Sequence, residues 1–173
     1  MLDHPSAPVR IPMKTNAARI LEQQGIPYEL LNYEVDPSDL TAERAAEKLG
    51  LPHQQVFKTL VARGDRSGIC LAVIPANAIL DLRALAKMSD NKKVETVSLK
   101  EVQPLTGYIR GGVTAIGCKK PYPVFIDISA TQFDTIAVSA GKRGHMLMIS
   151  PTTYQIVVQG TIGAITSHDL DKA

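Results

Sequence analysis

Three short segments hold the side chains best suited to chemistry. In Val56-Phe57-Lys58-Thr59-Leu60-Val61-Ala62 a lysine interrupts an apolar run. Strand periodicity puts Val56, Lys58, Leu60 and Ala62 on one face and Phe57, Thr59 and Val61 on the other. An ammonium on such a face either lines a pocket that needs a cation or snorkels its head to water, and spacing alone leaves both open. Gly111-Gly112 lets backbone approach a ligand closely and offers N–H donors to a carbonyl or an oxyanion, although a Gly-Gly pair is also a simple turn. Ser139-Ala140-Gly141-Lys142-Arg143-Gly144 joins a hydroxyl, flexible backbone and two cations. Those parts suit phosphate or carboxylate recognition, and they equally describe a basic hairpin turn.

Familiar catalytic signatures are missing from the sequence. It has no Gly-x-Ser-x-Gly elbow, no Walker loop, no His-Glu-x-x-His and no dinucleotide-binding Gly-x-Gly-x-x-Gly after a strand. The four histidines, His4, His53, His145 and His168, fall near the ends or in apparent loops. Only His145, directly after Gly144, could reach a site, and an exposed or capping role is its blander reading. Cys70 and Cys118 form no metal spacing, so no metal and no cofactor are expected. Cys70 reads as a small core residue, Cys118 could lie exposed after the glycine loop, and a reducing compartment suits both. A net charge of +2 does not announce a nucleic-acid binder, so any polyanion site must be a local cluster. Candidates are Lys92-Lys93, Lys119-Lys120 and Lys142-Arg143, with Arg83, Lys87 and Arg110 as neighbours.

These groups need a frame. At 173 residues, with 45% hydrophobic and 21% charged side chains, the chain fits one globular domain with a sizeable core. Thr15 caps a helix through Leu21 that Gly25 stops, Tyr28–Tyr33 reads as a strand, and Thr41–Leu49 is a helix closed by Gly50. The Lys58 strand and Ile69–Ile74 flank the turn Gly64-Asp65-Arg66-Ser67-Gly68. Leu80–Met88 is expected to be a helix and Val94–Val97 a strand, and Ser98 caps a helix to Leu105. Val124–Ile128, Thr135–Ser139 and Met146–Ile149 are strands, Pro151 opens a last helix, and Thr161–Thr166 is a final strand. This order is not a clean βαβ repeat. It predicts an α+β (mixed α/β) fold, mostly antiparallel, with a curled sheet or partial barrel surrounded by short helices. Residues 1–13 read as a loose extension, 14–168 as one domain and 169–173 as a tail. With no signal peptide and no apolar run of about 18 residues, a cytoplasmic location without membrane contact is expected.

Phe57-Lys58-Thr59-Leu60, Thr106-Gly107-Tyr108 with Gly111-Gly112, and Val138 to Gly144 follow the order and spacing of the YbaK family. Ala45 to Gly50, Leu82 to Ala86 and Ile26-Pro27-Tyr28 leading to Tyr33 extend the similarity, which covers about Lys14 to Ile165. That family comprises free-standing aminoacyl-tRNA deacylases related to the editing domain of bacterial prolyl-tRNA synthetases. The chain most resembles the Cys-tRNA(Pro) and Cys-tRNA(Cys) deacylase branch. One departure is Ala115, where the family typically has proline.

The resemblance implies removal of cysteine from mischarged Cys-tRNA(Pro), with the substrate thiol attacking its own ester. It further implies that Lys58 is the essential lysine, that Gly111 and Gly112 direct amides at the scissile carbonyl, and that Tyr33 and Thr59 line the pocket. Ser139, Gly141 and Arg143 would close the pocket near the terminal nucleotide. Lys92, Lys93, Lys119, Lys120 and Lys142 are weaker candidates for tRNA phosphates. Expected partners are the 3′ end of an aminoacyl-tRNA and, transiently, prolyl-tRNA synthetase. Alternatives remain: a deacylase for alanine or serine, a non-catalytic tRNA- or synthetase-binding module, or a small-anion binder.

Overall fold

The computed structural model describes residues 14–167, so the termini singled out above lie outside the described residues. Local signals set most element boundaries. The Thr15 hydroxyl accepts from Ala18 N–H at the start of α1 (Asn16–Gln23). Thr41 caps α2 (Ala42–Leu49) in the same way, and Gly50 ends it in the left-handed region. Asp81 caps α3 (Leu82–Met88), a Ser98/Glu101 capping box opens α4 (Leu99–Thr106), and Ser150 with Pro151 opens α5 (Pro151–Val158).

The strands are β1 (Glu29–Asn32), β2 (Val56–Gly64), β3 (Gly68–Pro75), β4 (Ile79–Leu80), β5 (Val94–Thr96), β6 (Val124–Asp127), β7 (Ile136–Lys142), β8 (His145–Ile149), β9 (Thr161–Gly163) and β10 (Thr166–Ser167). The main sheet runs β1-β8-β7-β2-β3-β6-β9, and β5 also pairs with β2. Pairings β2–β7, β3–β6 and β6–β9 are parallel and the others antiparallel. This is the mixed, mainly antiparallel sheet with short helices around it that the sequence suggests.

Two expectations need correction. The helix expected from Leu80 starts at Leu82, because Ile79-Leu80 pairs with Thr166-Ser167 as a separate two-stranded sheet. The strand expected over Thr161–Thr166 is broken into β9 and β10, which join different sheets. In both cases a distant partner decides, and local periodicity does not record it.

Alternation along β2 and β3 divides the core. Phe57, Val61, Leu71 and Val73 face the largest cluster with Leu21 of α1 and Tyr154 of α5. On the other face, Ala62, Cys70, Ala72 and Ile74 pack with Leu85 of α3, while Val56 packs with Ala45, Ala46, Ala76 and Met146. Lys58 emerges between those two lesser clusters. Cys118 is not exposed; it is half-buried, and its thiol donates to the Thr114 carbonyl at 3.2 Å. Burial pushes the thiols of both Cys70 and Cys118 up to about 11.

Candidate active site

The site begins with a fork in the sheet. β3 covers one edge of β2 from Phe57 to Gly64. The other edge is shared: β7 pairs only at Val56 and Phe57, and β5 only at Ala62 to Gly64. Between them the edge is open, and a cleft of about 450 Å³ lies there, a volume in the small-molecule range. Lys58, Thr59, Leu60 and Val61 form its floor. Its walls are Tyr33, the start of α2, Thr96-Val97 with Leu99 and Val102, Arg110-Gly111, and Ser139 with His145 and Met146.

Lys58 is the cation in the floor. Its Nζ donates to the Ala76 carbonyl at 2.9 Å. Desolvation draws its pKa below the ordinary lysine value, and Glu43 on the cleft wall opposes that shift only in part. Lys58 thus lines the cleft, half-buried, with its ammonium held to the main chain.

Along the same cleft, two loops lock together. Gly111 has φ +86°, and a Cβ there would lie 3.3 Å from Arg143 Cγ and 3.5 Å from Leu40 Cβ. A Cβ on Gly112 would meet the Lys142 and Arg143 backbone at 3.2 Å. Arg143 Nε donates to the Arg110 carbonyl at 2.8 Å, tying the β7–β8 turn to the glycine loop. Gly112 N–H donates to the Ile109 carbonyl at 2.9 Å, so Gly111 lines the cleft while Gly112 serves the packing behind it. Tyr108 anchors the loop from below, its hydroxyl donating to the Ile116 carbonyl at 2.6 Å. Gly141, at φ +90°, leaves the space that the Tyr108 ring occupies.

The remaining sequence-derived residues divide clearly. Tyr33, Thr59 and Ser139 line the cleft. Tyr33 N–H donates to the Gly144 carbonyl, and Ser139 Oγ accepts from Gly141 N–H at the bulge in β7. Lys142 is exposed on the turn beside the mouth, and Lys119 runs along Gly107. Lys119 and Lys120 are exposed and are not among the cleft's lining residues. Lys92 and Lys93 flank the β2–β3 hairpin: both main-chain N–H groups bond Asp65, and Lys93 pairs with Glu95 at 2.8 Å.

Among the titratable cleft residues, Glu43 lay outside the sequence-derived set, Arg110 was expected only as a neighbour of the basic clusters, and His145 only as a histidine able to reach a site. His145 Nδ1 is buried without a hydrogen-bond partner. Desolvation, then the nearby Lys142 charge, lower its pKa, so the ring is neutral at pH 7. Its position after Gly144 was the only sequence signal; Glu43 on a helix surface had none. Among the described residues, no cluster of three or more His, Cys, Asp or Glu side chains could hold a metal. No described helix is long and apolar enough to cross a membrane.

Comparison with known proteins agrees with this architecture. A family model described as "Aminoacyl-tRNA editing domain" matches residues 36–155. A protein of Enterococcus faecalis (strain ATCC 700802 / V583), named "Putative Cys-tRNA(Pro)/Cys-tRNA(Cys) deacylase EbsC", is 44% identical over 156 residues, covering 90% of this chain and 95% of that one. Two solved structures share the fold. "Crystal structure of hypothetical protein APE2540" has TM-score 0.79 and 21% identity, over 86% of this chain and 97% of that one. "Crystal structure of a putative trans-editing enzyme for prolyl tRNA synthetase" has TM-score 0.76 and 22% identity, over 88% and 98%. The chain therefore belongs to the aminoacyl-tRNA editing domain family, and within it to the YbaK/EbsC type.

Proposed function

We propose that this protein is a free-standing deacylase that clears cysteine from mischarged Cys-tRNA(Pro). The observation that carries the reading is Lys58: a partly desolvated ammonium on the floor of a cleft roofed by Gly111 and bounded by Ser139. The cleft is larger than one small side chain needs, and it suits an aminoacyl group joined to its terminal nucleoside. The Enterococcus relative, whose name carries this substrate, supports the assignment. Such an activity answers a real chemical problem, since a pocket for proline discriminates a similarly sized residue by only about 10–200-fold.

In the reaction, the cysteinyl sulfur attacks its own ester carbonyl carbon and forms a tetrahedral oxyanion. The C–O bond to the ribose then breaks, and the ribose oxygen takes up the proton that the thiol lost. The products are tRNA with a free hydroxyl and a small thiolactone, which water opens to cysteine. Lys58 supplies positive charge where the thiolate and oxyanion develop. The backbone at Gly111 lies against the ester end, and Arg143, Arg110 and Lys142 at the rim attract the terminal phosphates.

The test is a single-turnover panel with tRNA charged with Cys, Ala, Ser or Pro. Release from the cysteinyl ester, with little from the other three, is expected. Equal rates for Cys and Ala esters would remove the thiol-assisted route, and binding without turnover would leave a tRNA-binding module.

A further inference from the structure

The fork in β2 leaves the N–H and C=O of one residue without a strand partner on the edge away from β3. In an antiparallel pair, alternate residues direct both N–H and C=O to the same side. Val56 C=O accepts from Ala76 N–H at 2.7 Å, so even-numbered residues of β2 bond toward β3. Phe57, Thr59, Val61 and Arg63 therefore bond away from β3. Phe57 meets Val138 of β7, the Val61 carbonyl accepts from Val97 N–H at 3.0 Å, and Arg63 meets Glu95 of β5. Thr59 lies between them. The β7 ladder ends at Phe57↔Val138, so Thr59 N–H and C=O point into the cleft.

Resting on the deacylase reading above, we propose that Thr59 binds the aminoacyl residue through its main chain. The substrate then forms a one-residue antiparallel strand. In extended form its α-amino group donates to Thr59 C=O and its ester carbonyl accepts from Thr59 N–H, the reciprocal pair of an antiparallel ladder. Polarity follows from that pairing. The ester end runs toward Ser139 and the glycine loop, where the nucleotide leaves the cleft, and the amino end runs toward Val97. Just beyond that end Val97 N–H occupies Val61 C=O, so the chain at Val97 stands where a further residue would lie. The gap thus admits a single residue. The site takes aminoacyl-tRNA with a free α-amino group and rejects N-acylated or peptidyl-tRNA, whatever the side chain.

Three esters of the same tRNA separate the possibilities: cysteinyl, N-acetylcysteinyl and 3-mercaptopropionyl. All keep the thiol and the carbonyl. The mercaptopropionyl ester lacks the amine and should react about 10–100-fold more slowly, the worth of a charge-assisted hydrogen bond. The N-acetyl ester should be slower still. Rates within about threefold for all three would overturn the Thr59 assignment and leave the deacylase reading intact. If none is cleaved, the deacylase reading fails, and calorimetric titration with non-reactive 3′-cysteinylamino-3′-deoxyadenosine and its N-acetyl derivative judges Thr59 independently. Tighter binding of the free amine supports the assignment, and equal binding overturns it.

Discussion

The ammonium of Lys58 is anchored by the main-chain carbonyl of Ala76, 2.9 Å away. Ala76 N–H bonds Val56 C=O, so the sheet itself fixes the acceptor, and the acceptor fixes the charge. No carboxylate lies within salt-bridge distance of Lys58 among the described residues, which leaves most of its charge available to a ligand. Lys58→Met should lower deacylation at least about 100-fold, as loss of a preorganised electrostatic contact does. Its stability should move the other way. The folded pKa lies below 10.5, so the charged form is penalised at neutral pH, and that penalty is relieved as pH rises toward 10.5. The variant should therefore unfold at higher temperature than wild type at pH 7, with the difference narrowing toward pH 10.5. Thermal melts across that range check the sign.

Glu101 governs acid stability at the start of α4. Its carboxylate pairs with Arg63 at 2.7 Å and accepts from Ser98 N–H and Oγ, holding its pKa near about 2 instead of 4.5. With a depressed folded pKa, the stabilisation is complete above about 4.5 and is lost as pH falls toward about 2. Glu101→Gln should melt below wild type at pH 7, and the two curves should converge in acid. Parallel curves would show that the pair contributes nothing pH-dependent.

His145 should make the cleft side of the sheet sensitive to mild acid. Its folded pKa lies below 6.5, chiefly from desolvation, so the unfolded chain binds the proton first. Stability falls as pH drops from 6.5 toward the folded value. His145→Leu should remove that decline, measured as melting temperature between pH 7 and pH 5. An unchanged slope would place the titration elsewhere.

Gly141→Ala should damage the loop lock. A Cβ there would approach Tyr108 Cε1 to 2.8 Å, and φ +90° is strained for any side chain. A loss of about 1–3 kcal/mol is expected from denaturant titration. Activity should drop with it, because Tyr108 holds the segment that carries Gly111.

Much of the fold was legible because its signals are local. Thr15, Thr41, Ser98 and Ser150 cap the helices at which they stand, Gly50 ends α2, and the Gly64–Gly68 turn closes the β2–β3 hairpin. The alternation around Lys58 was legible too, since period two assigns faces. Edges are different. That β7 and β5 would share one side of β2 and leave Thr59 between them depends on strands distant in sequence. The same non-locality drew Ile79-Leu80 out of the expected helix and divided the last strand. Glu43 reaches the cleft only because α2 packs over β2, an arrangement that its own segment does not encode.

The high thiol pKa values of Cys70 and Cys118 bear on the proposed cysteinyl substrate, which itself carries sulfur. At about 11, neither residue supplies appreciable thiolate at neutral pH, and thiolate is the species that exchanges with disulfides. On the proposed reading, the protein would meet a cysteinyl thiol at every turnover without offering either of its own as a ready partner for a mixed disulfide.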